Sequence, residues 1–215
     1  MIFKRTLSYN RSASIETAGE ARTRGKLRVA IAEYKKILAA DPADHAVHMK
    51  IAPLLAEAKS YPEAWKSFRA AAERYEKGGF FNKAVGVYTH ASRCMPKETY
   101  AWEALSGLYL SQGLKADAVS VLMKGHLNFR GRKHRDKGVK MLKNAFDIHP
   151  WAFEPTYALA GLLAKTGRKK EALVLLEGLA GKKSAEKRRK ALRAAFTISP
   201  GFSYAWRWLK AAVKR

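Results

Sequence analysis

Two clusters of basic side chains are the residues of this chain best suited to chemistry with an anionic ligand. Arginine guanidinium groups bind carboxylates and phosphates as bidentate donors, and lysine ammonium groups bind them as point charges. The clusters lie at 130–143 and 182–193. We predict that they form a surface for an acidic protein or a nucleic acid, made of Arg130, Arg132, Lys133, Arg135, Lys137, Lys140, Lys183, Lys187, Arg188, Arg189, Lys190 and Arg193.

Helical spacing would place Lys133, Lys137 and Lys140 on one face, and Lys183, Lys187 and Lys190 on another. Like charges on one helix face destabilise it by a few tenths of a kcal/mol per pair. That cost favours an acidic ligand as the reason for the clusters. A solvated face that only keeps the protein soluble is the alternative.

The charge of the whole chain points the same way. The 215 residues carry a net charge of +24, and residues 121–215 hold 23 of the 42 Lys and Arg but only 6 of the 18 Asp and Glu. A strongly basic half of this kind can attract nucleic acid, anionic lipid or an acidic protein. A lipid surface would need a bulky apolar helix face, which is absent here. Single-stranded RNA would need exposed aromatic rings, and the spacing of Phe129, Trp151 and Phe153 suits core packing equally well.

Residues suited to catalysis are sparse. His45 and His48 could face one metal ion, but no carboxylate or cysteine completes a site. His90 and Cys94 are four residues apart, a spacing that fits a buried cysteine beside a polar histidine better than an activated thiol. No phosphate loop, catalytic triad or paired carboxylate motif occurs. The sequence therefore predicts a non-enzymatic protein with no catalytic residue, cofactor or metal.

Cellular location is indicated by two features. The single cysteine excludes an internal disulfide framework and suits a reducing compartment. No apolar run of membrane-spanning length occurs, and the first residues lack the apolar core of a signal peptide. We therefore expect a cytoplasmic protein with no membrane span.

Four prolines show how the basic clusters are positioned. Pro42, Pro96, Pro150 and Pro200 each close a similar stretch and are 54, 54 and 50 residues apart. Such a period indicates a repeat array. Apolar residues between the prolines recur at intervals of three and four residues, a spacing that predicts amphipathic helices. We expect twelve antiparallel helices near 13–23, 26–40, 44–58, 62–77, 80–94, 98–112, 115–129, 133–148, 152–166, 169–180, 184–198 and 202–213.

Several segments resemble the tetratricopeptide (TPR) repeat, in a pattern of small, large apolar and glycine residues. The match extends over nearly the whole chain, and it implies an all-α, right-handed helical solenoid of TPR-like repeats whose surface binds a partner. The residues that carry it are Trp102, Leu105, Ser106, Tyr109, Gly113, Ala118, Leu122 and Gly125; Leu159, Ala160, Leu163, Gly167, Ala172, Leu176 and Leu179; Ile51, Ala52, Leu55, Ala64, Phe68 and Ala71; and Ala18, Ala21, Gly25, Ala30, Tyr34 and Ile37.

The repeat departs from the plain TPR motif because the small-residue positions step alternately by 34 and 20 residues. Each 54-residue unit therefore has three helices. The middle helix has two apolar stripes, so we expect it to be the most buried. The basic clusters fall on the third helices of the later units, whereas the third helix of the first unit, 80–94, has only Lys83 and Arg93.

The TPR resemblance also implies a peptide groove lined by the first helix of each repeat. The carboxylate clamp of one TPR subclass is not expected, because asparagine is missing and only one groove position is basic. We expect residues 1–12 to be a flexible segment and 13–215 a single domain with a C-terminal capping helix. In that helix Tyr204, Ala205, Trp206 and Leu209 should pack backward, and Lys210, Lys214 and Arg215 should form its polar outer face. The predicted function is a scaffold that binds a partner protein or acidic peptide; the alternative is an RNA- or ribosome-binding protein. The groove positions are Met49, Lys50, Pro53, Glu103, Ala104, Gly107, Tyr157, Ala158 and Gly161.

Overall fold

The computed structural model describes residues 10–182 and 184–213, and these form twelve α-helices without a strand. The prediction of an all-α chain of twelve helices is confirmed for these residues. The helices are α1 (Arg11–Thr23), α2 (Leu27–Ala40), α3 (His45–Glu57), α4 (Tyr61–Lys77), α5 (Phe81–Cys94), α6 (Thr99–Ser111), α7 (Lys115–His126), α8 (Arg135–Ile148), α9 (Phe153–Lys165), α10 (Lys169–Lys182), α11 (Ala185–Ile198) and α12 (Phe202–Val213).

Left-handed residues end several helices and reverse the chain. Gly25, Gly113 and Gly167 have φ between 69° and 86°. At Gly113 the amide donates to Leu110, and the next amide donates to Tyr109, which closes the last turn of α6. Lys59 occupies the corresponding place after α3 with φ 60°, a conformation that disfavours a side chain.

The chain divides into two compact units, one ending at Ala101 and the other beginning at Trp102. In the first unit each helix from α1 to α5 packs on the next, and α3 also contacts α5. In the second unit α7 to α12 pack in the same sequential order, and α9 also contacts α11. In each unit a helix thus also packs against the helix two positions earlier in the chain. We call α3–α5 and α9–α11 groups of three helices.

Small residues lie where helices cross closely, as the sequence predicts. Ala30, Ala64 and Ala84 are fully buried in the first unit, and Ala118 and Ala172 are fully buried in the second. Large side chains fill the space one turn further on, and their burial excludes water from the crossings. These side chains are Tyr34, Phe68, Leu122 and Leu176.

The expectation that middle helices are the most buried is wrong. Seven of the thirteen residues of α3 are buried, against five of the seventeen residues of α4. The reason is that α3 is contacted by α2, α4 and α5. The first helix of this group, and not the middle one, is therefore covered on several sides.

The helix predicted over 115–129 ends three residues early, at His126. Two short 3₁₀ turns, at Leu127–Phe129 and Arg132–His134, then lead into α8. We call residues 127–134 the connection. Its start coincides with a side-chain hydrogen bond from Asn128 Nδ2 to the Gly125 carbonyl, at 3.0 Å. Such bonds compete with the backbone for helical carbonyls.

The last helix packs differently from the sequence prediction. Tyr204, Trp208 and Ala211 contact the core of the second unit. Trp206 and Leu209, which were expected to pack backward, are about half exposed at 51% and 49%. Tyr204 therefore packs as expected, whereas Trp208 and Ala211 face the core in place of Trp206 and Leu209. The predicted polar cap residues Lys214 and Arg215 lie outside the described residues, as do residues 1–9 of the segment expected to be flexible.

Candidate anionic-partner groove

The third helices carry their cations beside the first helices in the second unit. Short loops reverse the chain between successive helices, so first and third helices run in the same direction. Lys140 of α8 reaches Glu103 of α6, with Nζ 2.9 Å from Oε1. A predicted basic-surface residue thus pairs with a predicted groove residue, although no sequence pattern links the two sets.

The same arrangement recurs between α9 and α11. A depression of about 350 Å³ contains Tyr157, a predicted groove residue, beside Lys190 and Arg193 of the second basic cluster. We call this depression the basic groove. Its full lining is Phe153, Glu154, Tyr157, Lys190, Arg193, Ala194 and Thr197.

Aromatic and acidic neighbours position the cations at the basic groove. The Lys187 ammonium lies 5.5 Å from the centre of the Phe153 ring, which contributes a cation–π attraction. Lys190 forms an exposed ion pair with Glu186 at 3.2 Å, on the same helix. Exposed pairs of this kind contribute under about 1 kcal/mol, so Lys190 can exchange this partner for a ligand carboxylate at little cost.

The depression between α6 and α8 is smaller and less basic. Its volume is about 260 Å³, and its lining includes the groove residues Glu103 and Gly107 together with Asp147. Two carboxylates therefore stand in the lining, whereas the basic groove has two cations and one carboxylate. Of these two depressions, the one between α9 and α11 suits an acidic ligand better.

A third depression, of about 450 Å³, lies between the connection and α9. We call it the connection pocket. It joins Arg130 and Arg135 of the first basic cluster to the groove residue Gly161. Its full lining is His126, Phe129, Arg130, Arg135, Ala158, Gly161, Leu162 and Lys165.

Other members of the first cluster are placed differently. Arg132 and Lys133 are exposed in the second 3₁₀ turn, so Lys133 does not continue a helical face with Lys137 and Lys140. Lys137 is exposed on α8. Lys143 lines a depression that also contains Glu171 of α10, away from the basic groove.

The second cluster is only partly described. Arg188 is exposed, and Arg189 lies near the Ala185 carbonyl with Nε at 3.4 Å. Lys183 lies outside the described residues, so the expected face with Lys187 and Lys190 stays a prediction. In the first unit the groove positions Met49, Lys50 and Pro53 lie on α3, half-buried or exposed.

The residues weighed for catalysis show no active arrangement among the described residues. Burial raises the pKa of the Cys94 thiol, which disfavours the reactive thiolate. The His90 ring packs edge-on against Phe68, 5.5 Å between centres. His48 Nε2 lies 3.0 Å from the Pro42 carbonyl oxygen, and no group of three potential metal ligands occurs in the part of the chain that the structure describes.

Two polar residues of the connection pocket, His126 and Lys165, were not anticipated as site residues. His126 Nδ1 hydrogen-bonds the Met123 carbonyl. Burial lowers the pKa of His126, as does the charge of Arg130, and the hydrogen bond to Met123 opposes both. The sequence does contain a signal for Lys165, because it follows the groove position Gly161 by one helical turn and so lies on the same face of α9.

No known family model matches the chain, and no curated protein is similar to it in sequence. Solved structures resemble it at low identity. A TPR repeats protein from Bacteroides fragilis is 15% identical, with 96% of this chain and 99% of that one covered and a TM-score of 0.46. A tetratricopeptide repeat protein from Parabacteroides merdae is 15% identical over 95% and 99%, with a TM-score of 0.28. YrrB, described as a TPR protein with an unusual peptide-binding site, is 15% identical over 94% and 92%, at 0.30.

All three of these structures are described as TPR proteins. None of the described helices is both long and apolar enough to cross a membrane.

Proposed function

We propose that the protein is a non-enzymatic interaction scaffold that binds an acidic segment of a partner protein in the basic groove. The observation that carries the proposal is the meeting of Tyr157 with Lys190 and Arg193 in one depression between α9 and α11. An extended acidic peptide would lay its carboxylates on these cations. Its backbone would run past the small side chains of α9, which leave room for it.

A peptide suits the groove better than single-stranded RNA. Sequence-tolerant RNA binding uses exposed aromatic rings as stacking platforms. The rings nearest the clusters offer little of this surface, since Phe129 is 0% and Phe153 5% exposed, and half-buried Tyr157 is stacked on Phe153 with 5.4 Å between ring centres. A nucleic acid would therefore depend mainly on charge.

The proposal is tested with a fluorescent octapeptide of alternating aspartate and glutamate, and a Gly-Ser octapeptide as reference. The variant K187E/K190E/R193E should bind the acidic peptide about 10- to 100-fold more weakly, because three partly exposed charge contacts of roughly 0.5–1 kcal/mol each are reversed. K124E/K169E/K170E changes the net charge equally at exposed positions away from the basic groove. An equal loss in both variants would show that net charge alone attracts the peptide, and would refute the groove.

A second candidate function is RNA or ribosome binding through phosphates. It is favoured by the exposed cations of the connection, Arg130, Arg132 and Lys133. Such binding would weaken steeply with salt, because neutralised phosphates release counterions. Single-stranded RNA titrated at two salt concentrations decides between the candidates. RNA binding stronger than acidic-peptide binding at both, and lost on replacing these three residues with glutamate, would replace the scaffold proposal.

A further inference from the structure

The connection pocket has an unusual set of side chains for a surface depression. Three cationic side chains line it, Arg130, Arg135 and Lys165, together with His126, and none of the described lining residues is a carboxylate. Cations gathered without an acid repel one another, and a bound anion relieves that repulsion. The pocket is therefore matched to an oxyanion, and more than one negative charge would fit its donors.

Arg135 is held in a position to bind such an anion. Its Nη1 donates to the carbonyl of Lys165, 3.1 Å away, which ties the start of α8 to the end of α9. Among the described residues its Nε finds no hydrogen-bond partner, although this atom is covered from bulk water. A buried donor without an acceptor is costly, and it calls for a group that completes it.

Another arginine of this chain, Arg168, shows how the Nε edge of a guanidinium binds an oxyanion. Arg168 donates from Nε and Nη2 to the two carboxylate oxygens of Glu171, both at 2.6 Å. This bidentate contact is the strong form of arginine recognition. No described residue supplies an acceptor to Nε of Arg135, so after a small rotation of the guanidinium its Nε and Nη2 can hold two oxygens in the same manner.

The volume and the apolar wall of the connection pocket indicate which oxyanion fits it best. A volume of about 450 Å³ exceeds what a lone carboxylate fills, and Phe129, Ala158 and Leu162 give the pocket an apolar wall beside its cations. A phosphorylated serine or threonine has close to two negative charges, three acceptor oxygens and an aliphatic stem. Its stem can lie on the wall while its oxygens meet the arginines.

We infer that the connection pocket binds a phosphorylated serine or threonine side chain of a partner polypeptide. The inference rests on the proposed scaffold function, because it adds a phosphate site to an acidic peptide bound on the same α9 surface. Arg135 supplies the bidentate edge, Arg130 and Lys165 supply further charge, and neutral His126 offers its second ring nitrogen to a phosphate hydroxyl or to water.

The test compares three fluorescent peptides of the form acidic–X–acidic, where X is serine, phosphoserine or glutamate. We expect the phosphoserine peptide to bind about tenfold more tightly than the serine peptide, the gain of one well-formed contact between charged groups. The glutamate peptide should gain less than threefold. If no peptide binds, the scaffold function itself fails; if all three bind equally, only the phosphate pocket fails.

Variants locate the preference. R135Q should abolish the tenfold ratio, and R135K, which keeps the charge without the bidentate edge, should keep only part of it. R132Q is the matched control, since Arg132 is exposed on the same connection outside the pocket lining. Equal loss of the ratio in R135Q and R132Q overturns the inference. Thermal unfolding by circular dichroism checks that each variant is folded.

A spectroscopic readout separates phosphate contact from general attraction. The Arg135 Nε–H resonance, assigned by its disappearance in R135K, should move downfield on adding the phosphoserine peptide and not on adding the serine peptide. A 5′-phosphorylated RNA oligonucleotide is titrated in parallel. An equal or larger shift with the RNA would assign the pocket to a nucleic acid and overturn the peptide inference.

Discussion

The α3–α5 group of the first unit and the α9–α11 group of the second have the same packing but different surface chemistry. In both groups the third helix contacts the first, α5 on α3 and α11 on α9. The third helices α5, α8 and α11 each have 14 residues, and Ala91, Ala145 and Ala195 are buried at the same register. The three third helices therefore place a small buried residue at the same point of the packing.

The exposed positions of the same helices carry different residues. Lys140 and Lys190 stand where α5 has Gly86, and Lys143 and Arg193 stand where it has Thr89. The fold tolerates either set because these positions face solvent or a depression rather than the core. The comparison teaches that packing defines where a groove forms, and that a few exposed positions define what it can bind.

The largest expected difference between the two units concerns Phe129. It is fully buried at the connection, whereas Tyr75, 54 residues earlier, is half-buried. F129A should lower the free energy of unfolding by about 3–5 kcal/mol, the usual cost of removing a buried ring. Y75A should cost less than half of that. Urea denaturation of the two variants measures both, and equal costs would remove this distinction between the units.

Two glycines should respond in opposite directions to alanine. A Cβ on Gly125 would collide with Met141 and lie 2.8 Å from Cδ2 of Trp102, whereas a Cβ on Gly86 meets nothing within 4 Å. We expect G125A to destabilise by about 1–3 kcal/mol through overpacking. G86A should stabilise by up to about 1 kcal/mol through helix propensity. Thermal melts of both variants with the parent decide, and changes of the same sign would contradict the packing described.

The starts of α3 and α9 differ in capping. The Asp44 side chain accepts from the Val47 amide at 3.1 Å and pairs with Arg11 at 2.7 Å, while Ala152 offers no side-chain cap to α9. D44A should cost about 1 kcal/mol and A152D should gain a similar amount, the usual value of an N-cap. Thermal unfolding at pH 7 measures both; stabilisation by D44A would refute the capping role.

The same cap predicts a pH dependence. Burial acts to raise the pKa of Asp44, but the hydrogen bonds from Arg11 and the Val47 amide outweigh it, so the pKa lies below its ordinary value near 3.8. A lowered folded-state pKa gives a stabilisation that is present above the ordinary value and lost as the pH falls through the folded value. The stability gap between the parent and D44A should therefore close below about pH 4. A gap that persists at pH 2 would show that ionised Asp44 is not its source.

The smallest expected effect transfers the basic groove to the first unit. G86K/T89K, placed in the K187E/K190E/R193E background, gives α5 the cations of α11. Affinity for the acidic octapeptide should rise by about threefold, as two exposed charges contribute little each. G86Q/T89Q is the neutral control. No difference between the two variants would mean that the groove of α9 and α11 contributes more than its charges.

The fold was accessible from the sequence because its determinants are local. The proline period, the apolar spacing and small residues such as Ala64 and Ala118 depend only on neighbours along the chain, and the helix ends follow glycines such as Gly113. The early end of α7 was missed because the pattern alone does not show that Asn128 bonds the Gly125 carbonyl. The exposure of Trp206 was missed because apolar residues stand on both sides of it along α12, so the sequence does not show which of them face the core.

The candidate site was only partly accessible. The basic residues could be named from composition and the groove residues from the TPR resemblance. Their meeting, as in the pair of Lys140 with Glu103, depends on which side chains face each other across two helices that are not adjacent in sequence. The connection pocket also forms only because α7 ends at His126, and the spacing of apolar residues does not predict that end.

The sequential packing of the helices also has a consequence for how quickly the chain acquires its structure. Within each unit a helix contacts the next one or two along the chain, so the loops that must close are short. Short loops lose little conformational entropy, and proteins dominated by such contacts fold in microseconds to milliseconds. We expect folding of each unit to begin at any stable helix pair and to spread to its neighbours, so the newly made chain can acquire structure while the ribosome is still extending it.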